Sequence, residues 1–230
     1  MTSSSRFWEQ KDQVEKFAAR APDHRLVELL ETYPAPQSVG VLDLGCAGGR
    51  NTRILARGGF DFYAVDSAVA MVERTRERVA EIAGVETAGQ RVRLARMEDL
   101  ADFRDEMFEL VVALGVYHQA ESHEHWIRAI CETYRVLSDG GLALISTFSP
   151  LSQPHGIPLN PVPGEICMYD GFSSGPLCLA SADELDRVML EHGFITQSVT
   201  ETVRVATEDG FRVTLNGLYR KVATTGVRKN

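Results

Sequence analysis

The sequence predicts an α/β fold, an αβα sandwich in which seven strands form a mostly parallel sheet between two layers of helices. Short apolar runs rich in Val, Ile and Leu alternate with longer amphipathic segments, which is typical of successive βα units. The first five runs are continuous, as buried parallel strands require, whereas the last two alternate polar with apolar residues and predict an antiparallel C-terminal hairpin. The predicted strands cover residues 40–45, 60–66, 91–95, 108–114, 141–148, 194–202 and 211–220.

Helix signals fill the intervals between these strands. Ser67 and Ser122 are placed to start helices, and Ser181 with Glu184 forms a capping box that leads into a helix stopped by Gly193. Two further helical segments precede the first strand. The predicted helices cover about 7–20, 23–33, 68–82, 122–137 and 181–193, with another directly after the first strand. We expect residues 1–36 to form a helical cap on a single domain of residues 1–230.

One segment does not follow the βα alternation. Residues 149–180 contain six of the nine prolines of the chain and four glycines, together with the aromatic residues Tyr169 and Phe172. Long loops that carry aromatic side chains usually have a function. We therefore expect a lid between the fifth and sixth strands, and the alternative is a plain surface excursion.

The composition limits the classes of function. The chain has 24 Lys and Arg against 32 Asp and Glu, a formal net charge of −8, and no basic block that would favour binding to phosphate backbones. No apolar stretch approaches the length of a membrane span, and the N-terminus lacks the apolar core of a signal peptide. Cys46, Cys131, Cys167 and Cys178 show no CxxC spacing, which predicts reduced thiols in a cytoplasmic protein.

The clearest functional signal is a glycine-rich turn between the first strand and the next helix, with Asp43, Gly45, Ala47 and Gly49 at alternate positions. Glycines let the backbone turn tightly and approach a ligand, and the amides that begin a helix attract negative groups. The second strand ends in an acid, Asp66, 23 residues after Asp43. This spacing differs from the fingerprint of dinucleotide-binding proteins, although such an acid would also fit a dinucleotide enzyme.

These motifs resemble those of the class I S-adenosylmethionine-dependent methyltransferases, whose first motif is acid-x-Gly-x-Gly-x-Gly. Asp43, Gly45, Ala47 and Gly49 occupy its positions, with alanine in place of the second glycine. Asp66 stands where the family has a carboxylate that accepts hydrogen bonds from both ribose hydroxyls. The likeness continues in order over residues 38–220. It implies a Rossmann-like enzyme with S-adenosylmethionine as cofactor and S-adenosylhomocysteine as product.

The resemblance also assigns side chains to the cofactor. Arg96 replaces an acid of the third motif, so we expect the Met97 backbone, helped by Glu98, to contact adenine. Cys46 would contact the cofactor through its backbone rather than act as a nucleophile. For Met71 we keep two alternatives: it covers adenine, or it only fills the core. The expected cofactor-binding residues are Asp43, Gly45, Cys46, Ala47, Gly49, Asn51, Asp66, Ser67, Met71, Met97, Glu98 and Leu114.

His118 is the candidate catalytic base because it follows the fourth strand, at the end of the sheet where ligands bind. The alternative is a structural histidine in the pocket wall. His123 and His125 lie nearby, but residues two apart on a helix point to different faces, so we expect no metal site. The residues expected to contact the acceptor are Trp8, Tyr117, His118, Phe148, Tyr169 and Phe172.

The resemblance implies transfer of the sulfonium methyl group to an oxygen, nitrogen or sulfur atom by in-line displacement. A small-molecule acceptor is favoured because the chain shows neither a basic nucleic-acid surface nor a separate docking module. We expect a monomer or homodimer with no nucleic-acid or membrane partner. Two alternatives remain, an NAD(P)-dependent oxidoreductase and a non-catalytic S-adenosylmethionine-binding regulatory protein. The glycine spacing disfavours the first, while Arg96 and Ala47 keep the second open.

Overall fold

The order of strands in the main sheet determines where a ligand can bind. A computed structural model describes residues 7–223. Its strands are β1 (Gly40–Leu44), β2 (Asp61–Asp66), β3 (Val92–Leu94), β4 (Phe108–Leu114), β5 (Leu137–Phe148), β6 (Asn160–Pro161), β7 (Met168–Asp170), β8 (Leu177–Cys178), β9 (Phe194–Thr196), β10 (Glu201–Ala206) and β11 (Phe211–Lys221). Its helices include α1 (Lys11–Ala18), α2 (His24–Leu30), α3 (Thr52–Gly58), α4 (Val69–Ala83), α5 (Val85–Arg91), α6 (His123–Val136) and α7 (Ala182–Glu191).

The main sheet has the strand order β10-β11-β5-β4-β1-β2-β3, with β9 also paired to β11. Strands β1 to β5 pair with one another in parallel, whereas β11 is antiparallel to β5, β9 and β10. This confirms the predicted parallel sheet with an antiparallel C-terminal edge. The chain moves outward from β1 in opposite directions, toward β2 and toward β4. Ligands bind in open α/β sheets at the carboxyl ends of the strands beside such a switch point.

Helices cover both faces of the sheet. Alternate residues of β1 enter two separate cores, because Leu42 and Leu44 belong to one buried cluster and Val41 to the other. Trp126 of α6 and Leu185 of α7 complete the first cluster, and side chains of α2, α3 and α4 complete the second. The predicted αβα sandwich is confirmed.

The predicted sixth strand differs most from the sequence-based expectation. Residues 194–202 form parts of two strands, β9 and β10, which pair with different halves of β11, so the sheet of the described residues has eight strands. The interruption coincides with Thr200, whose hydroxyl donates to Asp186 Oδ1 at 2.6 Å and lies 2.9 Å from Tyr219 Oη. These bonds turn Thr200 inward and break the edge strand.

Two smaller differences from the prediction lie at the starts of β3 and β5. The segment before β3 forms the short helix α5, so that Arg91, predicted as the first residue of a strand, ends a helix instead. Strand β5 begins at Leu137, directly after α6, and the predicted stop at 138–141 forms an irregularity between the pairs of Leu137 with Phe108 and of Leu142 with Leu110. The capping roles of Ser122 and of Ser181 with Glu184 are confirmed.

The lid segment contains its own small sheet. Strands β6, β7 and β8 pair in antiparallel order. Cys167, next to β7, forms a disulfide with Cys178 in β8, and their Cα atoms are 4.9 Å apart. The expectation of reduced thiols is therefore wrong for these two residues, because strand pairing joins cysteines whose sequence spacing gives no signal. Cys46 and Cys131 are free thiols.

Two expectations extend beyond the described residues. Residues 1–6 of the predicted helical cap and residues 224–230 of the predicted domain lie outside them. In the range 7–223, no helix combines the length and apolar character needed to cross a bilayer.

Candidate functional site

The glycine-rich turn lies at the carboxyl end of β1, beside the switch point of the sheet. The amides of Gly45 and Cys46 both donate to the Val65 carbonyl at 2.9 Å, which fastens the turn to β2. Gly45, Ala47 and Gly49 have φ values of 72°, 50° and 76°. The turn therefore needs a left-handed backbone at all three motif positions, and Ala47 adopts it despite a cost of about 1 kcal/mol for a residue with a Cβ.

Close packing explains the glycine at position 48 and is a second reason for the glycine at position 45. A Cβ at Gly48 would lie 2.6 Å from the Cβ of Ala18, at the end of α1. A Cβ at Gly45 would lie 2.9 Å from the Cβ of Val116, in the loop after β4. The N-terminal cap and the β4 loop thus converge on this turn, as a closed ligand site requires.

Asp66 connects the turn to the start of α4. Its Oδ2 accepts a hydrogen bond from the Ala47 amide at 2.9 Å, and its Oδ1 accepts one from the Ala68 amide at 3.0 Å. Burial raises the pKa of Asp66, and the amide hydrogen bonds oppose that rise. The structure thus brings together the two strongest sequence signals, the acid after β2 and the glycine-rich turn. The Asp66 side chain remains partly exposed at this edge of the sheet.

Asp43 lies beneath the turn and is almost fully buried. Thr52 Oγ1 donates a hydrogen bond to Asp43 Oδ2 at 2.6 Å. Burial raises the pKa of Asp43 to about 6, although the Thr52 hydrogen bond and the charge of Arg50 oppose the shift. An ionised Asp43 is therefore costly in this position, and a nearby positive charge would stabilise it.

The N-terminal cap covers the turn. Trp8, Val14 and Phe17 pack around Ala47, Ala68, Ala70 and Met71. The Trp8 Nε1 donates to Gln119 Oε1 at 3.2 Å, which joins the cap to the loop after β4. Met71 is buried in this cluster, which agrees with the alternative that it only fills the core. Asn51 also serves the cap, because its Oδ1 accepts the Asp23 amide at 3.0 Å.

Glu9 fixes the cap to α4. Its two carboxylate oxygens accept hydrogen bonds from the Val69 amide at 2.8 Å and the Ala70 amide at 3.0 Å. Ser67, predicted to start this helix, is exposed, and the N-cap residue Ala68 has no side-chain hydrogen bond to offer. A carboxylate from a distant segment therefore satisfies the free amides at the start of α4.

The third motif is organised around Glu98. Its carboxylate accepts a hydrogen bond from Arg96 and lies 2.8 Å from His125 Nε2. Burial raises the pKa of Glu98, but the hydrogen bonds from Arg96 and His125 among others outweigh it and hold the pKa below its usual range. His125 Nδ1 accepts the Glu121 amide, so Nε2 is the ring nitrogen that faces Glu98.

The remaining predicted cofactor residues lie at the same edge of the sheet. Met97 is buried in the core beside Glu98, and Leu114 is the partly buried last residue of β4. Within residues 7–223, no three His, Cys, Asp or Glu side chains are grouped to hold a metal ion.

Aromatic rings form a stack at the carboxyl ends of β4 and β5. The ring of His118 lies parallel to that of Phe148 with centroids 4.0 Å apart, and Phe148 lies parallel to Phe172 at 5.5 Å. We call these three residues the aromatic stack. Phe148, Phe172 and Tyr169 also pack together on leucines of the lid segment. Four of the six predicted acceptor residues are thus adjacent.

His118 is a neutral imidazole in this position. Its ring is 3% exposed, and its buried Nδ1 has no hydrogen-bond partner within the described chain. Burial, together with the charge of Arg212, lowers the pKa of His118 to about 3. A buried imidazole nitrogen without a partner lacks a hydrogen bond that a ligand would supply.

The other two predicted acceptor residues lie apart from the aromatic stack. The Tyr117 hydroxyl is buried 2.6 Å from Thr133 Oγ1, on the side of the loop that faces α6, and burial raises the pKa of Tyr117. Trp8 lies on the glycine-rich turn with Phe17, at a ring separation of 5.0 Å. The stack and the turn are therefore lined by different parts of the chain.

Sequence patterns did not single out Thr52, Glu9 or Arg212. Thr52 had a local signal, because a hydroxyl that begins the helix after the turn can reach the acid at the end of β1. Glu9 and Arg212 had no local signal, since each contacts residues that are distant in the sequence.

Comparison with known proteins relates this fold and its glycine-rich turn to methyltransferases. A family model described as a methyltransferase domain matches residues 42–145. This chain is similar to the 1,6-didemethyltoxoflavin-N1-methyltransferase of Burkholderia thailandensis, with 18% identity, a TM-score of 0.66, and 96% of this chain and 87% of that chain covered. That structure contains 1,6-didemethyltoxoflavin and S-adenosylhomocysteine. Residues 42–145 of this chain therefore match a methyltransferase domain, and its fold is shared with an S-adenosylhomocysteine-bound methyltransferase.

Two other solved structures show how widely this fold is used. The CcbJ methyltransferase of Streptomyces caelestis has 18% identity and a TM-score of 0.65, covering 97% of this chain and all of that chain. The [4+2]-cyclase SpnF has 17% identity and a TM-score of 0.66, covering 96% of each chain. The fold alone therefore does not determine the reaction.

A curated relative matches a smaller part of the chain. The probable tRNA methyltransferase 9B of Mus musculus is 29% identical over 105 residues, which are 46% of this chain. The match spans about a fifth, 21%, of that protein's length.

Proposed function

We propose that this chain transfers the methyl group of S-adenosylmethionine to an oxygen, nitrogen or sulfur atom of a small molecule, leaving S-adenosylhomocysteine. One observation carries the proposal: the Asp66 carboxylate lies within hydrogen-bond distance of the glycine-rich turn, at the switch point of the sheet. A carboxylate beside a glycine-rich turn suits a ligand that combines a sugar diol with a charged amino-acid tail.

The residues present fit this cofactor. Asp66 is partly exposed and would accept hydrogen bonds from the ribose hydroxyls. The left-handed backbone of Gly45 to Gly49 would surround the methionine tail, and its ammonium would stabilise the ionised Asp43. Met97 and Glu98, in the loop after β3, would border adenine. The expected roles of Cys46, Asn51, Ser67, Met71 and Leu114 remain predictions.

The cofactor supplies a methyl group already activated by a positive sulfur. The protein then contributes orientation and exclusion of water, which together provide much of the acceleration of such a displacement. The cap formed by α1, Trp8 and Glu9 closes one side of the site, and the lid segment with Tyr169 and Phe172 closes the other. We propose that both belong to one methyltransferase domain.

His118 has a defined role in this scheme. Its unpartnered Nδ1 accepts a hydrogen bond from the hydroxyl or amine of the acceptor and takes the proton as the nucleophile loses it. A pKa of about 3 makes His118 a weak base before the reaction, so its first contribution is to orient the acceptor.

A small acceptor is supported by the aromatic stack and by the net charge of −8. The stack would hold a planar molecule of limited size. The similarity to a probable tRNA methyltransferase covers only a minority of either chain, and an acidic chain disfavours a nucleic-acid substrate. A tRNA therefore serves as one member of the test panel rather than as the expected acceptor.

Calorimetry with S-adenosylmethionine, S-adenosylhomocysteine and NAD tests the cofactor. The two sulfur nucleosides should bind and NAD should not, and Asp66→Ala should weaken binding by about tenfold or more because a charge-assisted pair of hydrogen bonds is lost. Asp61→Ala is the matched control, since Asp61 begins the same strand at the opposite end of the sheet. Binding that is undetectable in the parent, or unaltered in Asp66→Ala, would contradict the proposal.

A methyl-transfer assay against hydroxyl, amine, carboxylate and thiol compounds then tests the reaction. Methylation of at least one small molecule is expected. Binding of S-adenosylmethionine without methylation of any small molecule or tRNA would instead support the non-catalytic alternative.

A further inference from the structure

Arg212 is a guanidinium without an acidic partner at the edge of the aromatic stack. It lies on β11 two residues before Thr214, which pairs with Phe148 at the end of β5. Its guanidinium carbon is 5.5 Å from the centre of the Phe148 ring. Its Nε is buried without a hydrogen-bond partner, and no Asp or Glu of residues 7–223 forms an ion pair with it.

Two further arginines increase the positive charge around Arg212. Arg20 lies over the Phe17 ring at 4.0 Å, and Arg50 Nη1 donates to the Ala21 carbonyl at 3.2 Å. Burial and the charges of Arg50 and Arg212 lower the pKa of Arg20, and burial and Arg50 lower that of Arg212. Within the described range neither Arg20 nor Arg50 forms an ion pair with an acid.

Two other partly buried arginines of this chain are paired with acids, whereas Arg53 and Arg78 share with Arg212 a buried nitrogen without a partner but do not lie over the aromatic stack. Arg135 binds Glu132, Asp105 and two backbone carbonyls, and Arg25 forms a bidentate pair with Asp23. The contrast matters because removing a guanidinium from water without a partner is costly. A positive cluster without acidic partners beside the aromatic stack fits an anion that comes with the ligand.

We propose that Arg212 binds an anionic group of the methyl acceptor, while the aromatic stack holds a planar ring of the same molecule. This inference rests on the proposed methyltransferase function and defines its substrate class as small planar acids. The guanidinium fork matches the geometry of a carboxylate, which it can bind through two parallel hydrogen bonds. His118, which stacks on Phe148, would face the nucleophile.

Position assigns Arg212 to the acceptor rather than to the cofactor. Arg50 follows Gly49 directly and adjoins the glycine-rich turn, where the cofactor is expected. Arg212 instead contacts the end of β5, and its charge acts on His118. The methionine carboxylate of the cofactor is the competing source of an anion, so the experiment must distinguish the two.

The test uses matched pairs of small probes. Hydroxy- and amino-substituted benzoates and heteroaromatic acids are compared with their neutral primary amides, by calorimetry or ligand-observed NMR, on protein saturated with S-adenosylhomocysteine. We expect at least one acid to bind about tenfold more tightly than its amide, as a charge-assisted bidentate contact would produce. Parent protein that favours no acid over its amide would overturn the inference.

Variants at position 212 test whether Arg212 causes the preference for the acid. Arg212→Gln should abolish the preference for the acid and leave S-adenosylhomocysteine affinity within about twofold, and Arg212→Lys should retain part of the preference. Arg204→Gln is the control, because Arg204 also lies over an aromatic ring but on the outer strand β10. Retained preference in Arg212→Gln, or loss of S-adenosylhomocysteine affinity instead, would overturn the inference. Parent protein that binds no S-adenosylhomocysteine would reject the proposed function itself.

Discussion

His118 shows how a single buried residue can link stability to pH. Unfolded histidine has a pKa near 6.5, while burial and Arg212 lower the pKa in the folded protein to about 3. At pH values between these two pKa values, the unfolded state therefore binds a proton that the folded state does not. The stability supplied by the neutral ring is fully present above pH 6.5 and is lost as the pH falls toward about 3.

His118→Phe should remove this pH dependence and keep the stack on Phe148. Between about pH 7 and pH 5 the parent should lose about 2 kcal/mol of unfolding free energy relative to the variant. Urea unfolding of both proteins at several pH values measures this difference. A constant difference across the range would show that His118 is not buried as a neutral ring.

Residues whose roles are set by local backbone could be predicted from sequence. Asp43, Gly45 and Gly49 follow from the geometry of one strand-to-helix turn, and even the alanine at position 47 keeps the left-handed conformation of a glycine. Arg212 could not be predicted in the same way. Its approach to Phe148 depends on the antiparallel register of β11 against β5, which no local pattern specifies.

The start of α4 illustrates the same limit for a whole element. Its existence and extent follow from amphipathic spacing, but its cap comes from Glu9, about sixty residues earlier in the chain. The predicted local cap, Ser67, does not serve because the helix begins two residues later. Elements that depend on tertiary partners, such as the divided strands β9 and β10, also escape local patterns.

Glu9→Gln should loosen the N-terminal cap. The neutral amide loses its charge interaction with the start of α4 and one of two acceptor oxygens, at a cost of about 1 kcal/mol. Amide hydrogen exchange at Val69 and Ala70 should accelerate about fivefold, and S-adenosylhomocysteine should dissociate faster because the cap closes its site. Glu15→Gln is the control, since Glu15 forms only an exposed ion pair with Arg74. Equal exchange in the two variants would contradict the capping role.

At the scale of the whole molecule, two segments outside the parallel sheet cover the same edge of it. The cap lies on the glycine-rich turn and the lid segment lies on Phe148, so the two ligands of the proposed reaction would be enclosed from opposite sides. The sheet is fixed by its many parallel pairings, whereas the lid has only three short strands. The lid therefore depends on other constraints to keep Tyr169 and Phe172 in position.

The disulfide between Cys167 and Cys178 supplies one such constraint, because it closes a loop of the lid across 11 residues of sequence. Loop-closure entropy for this length corresponds to about 3 kcal/mol. A variant with both cysteines replaced by serine should lose a comparable part of this stability from the lid, seen as faster proteolysis within 149–180 and weaker acceptor binding, while S-adenosylhomocysteine affinity stays the same. Cys131→Ser, at an exposed free thiol, is the control and should match the parent. Four reactive thiols in the unreduced, denatured parent would contradict the disulfide, and unaltered proteolysis in the double variant would show that the lid is held by packing alone.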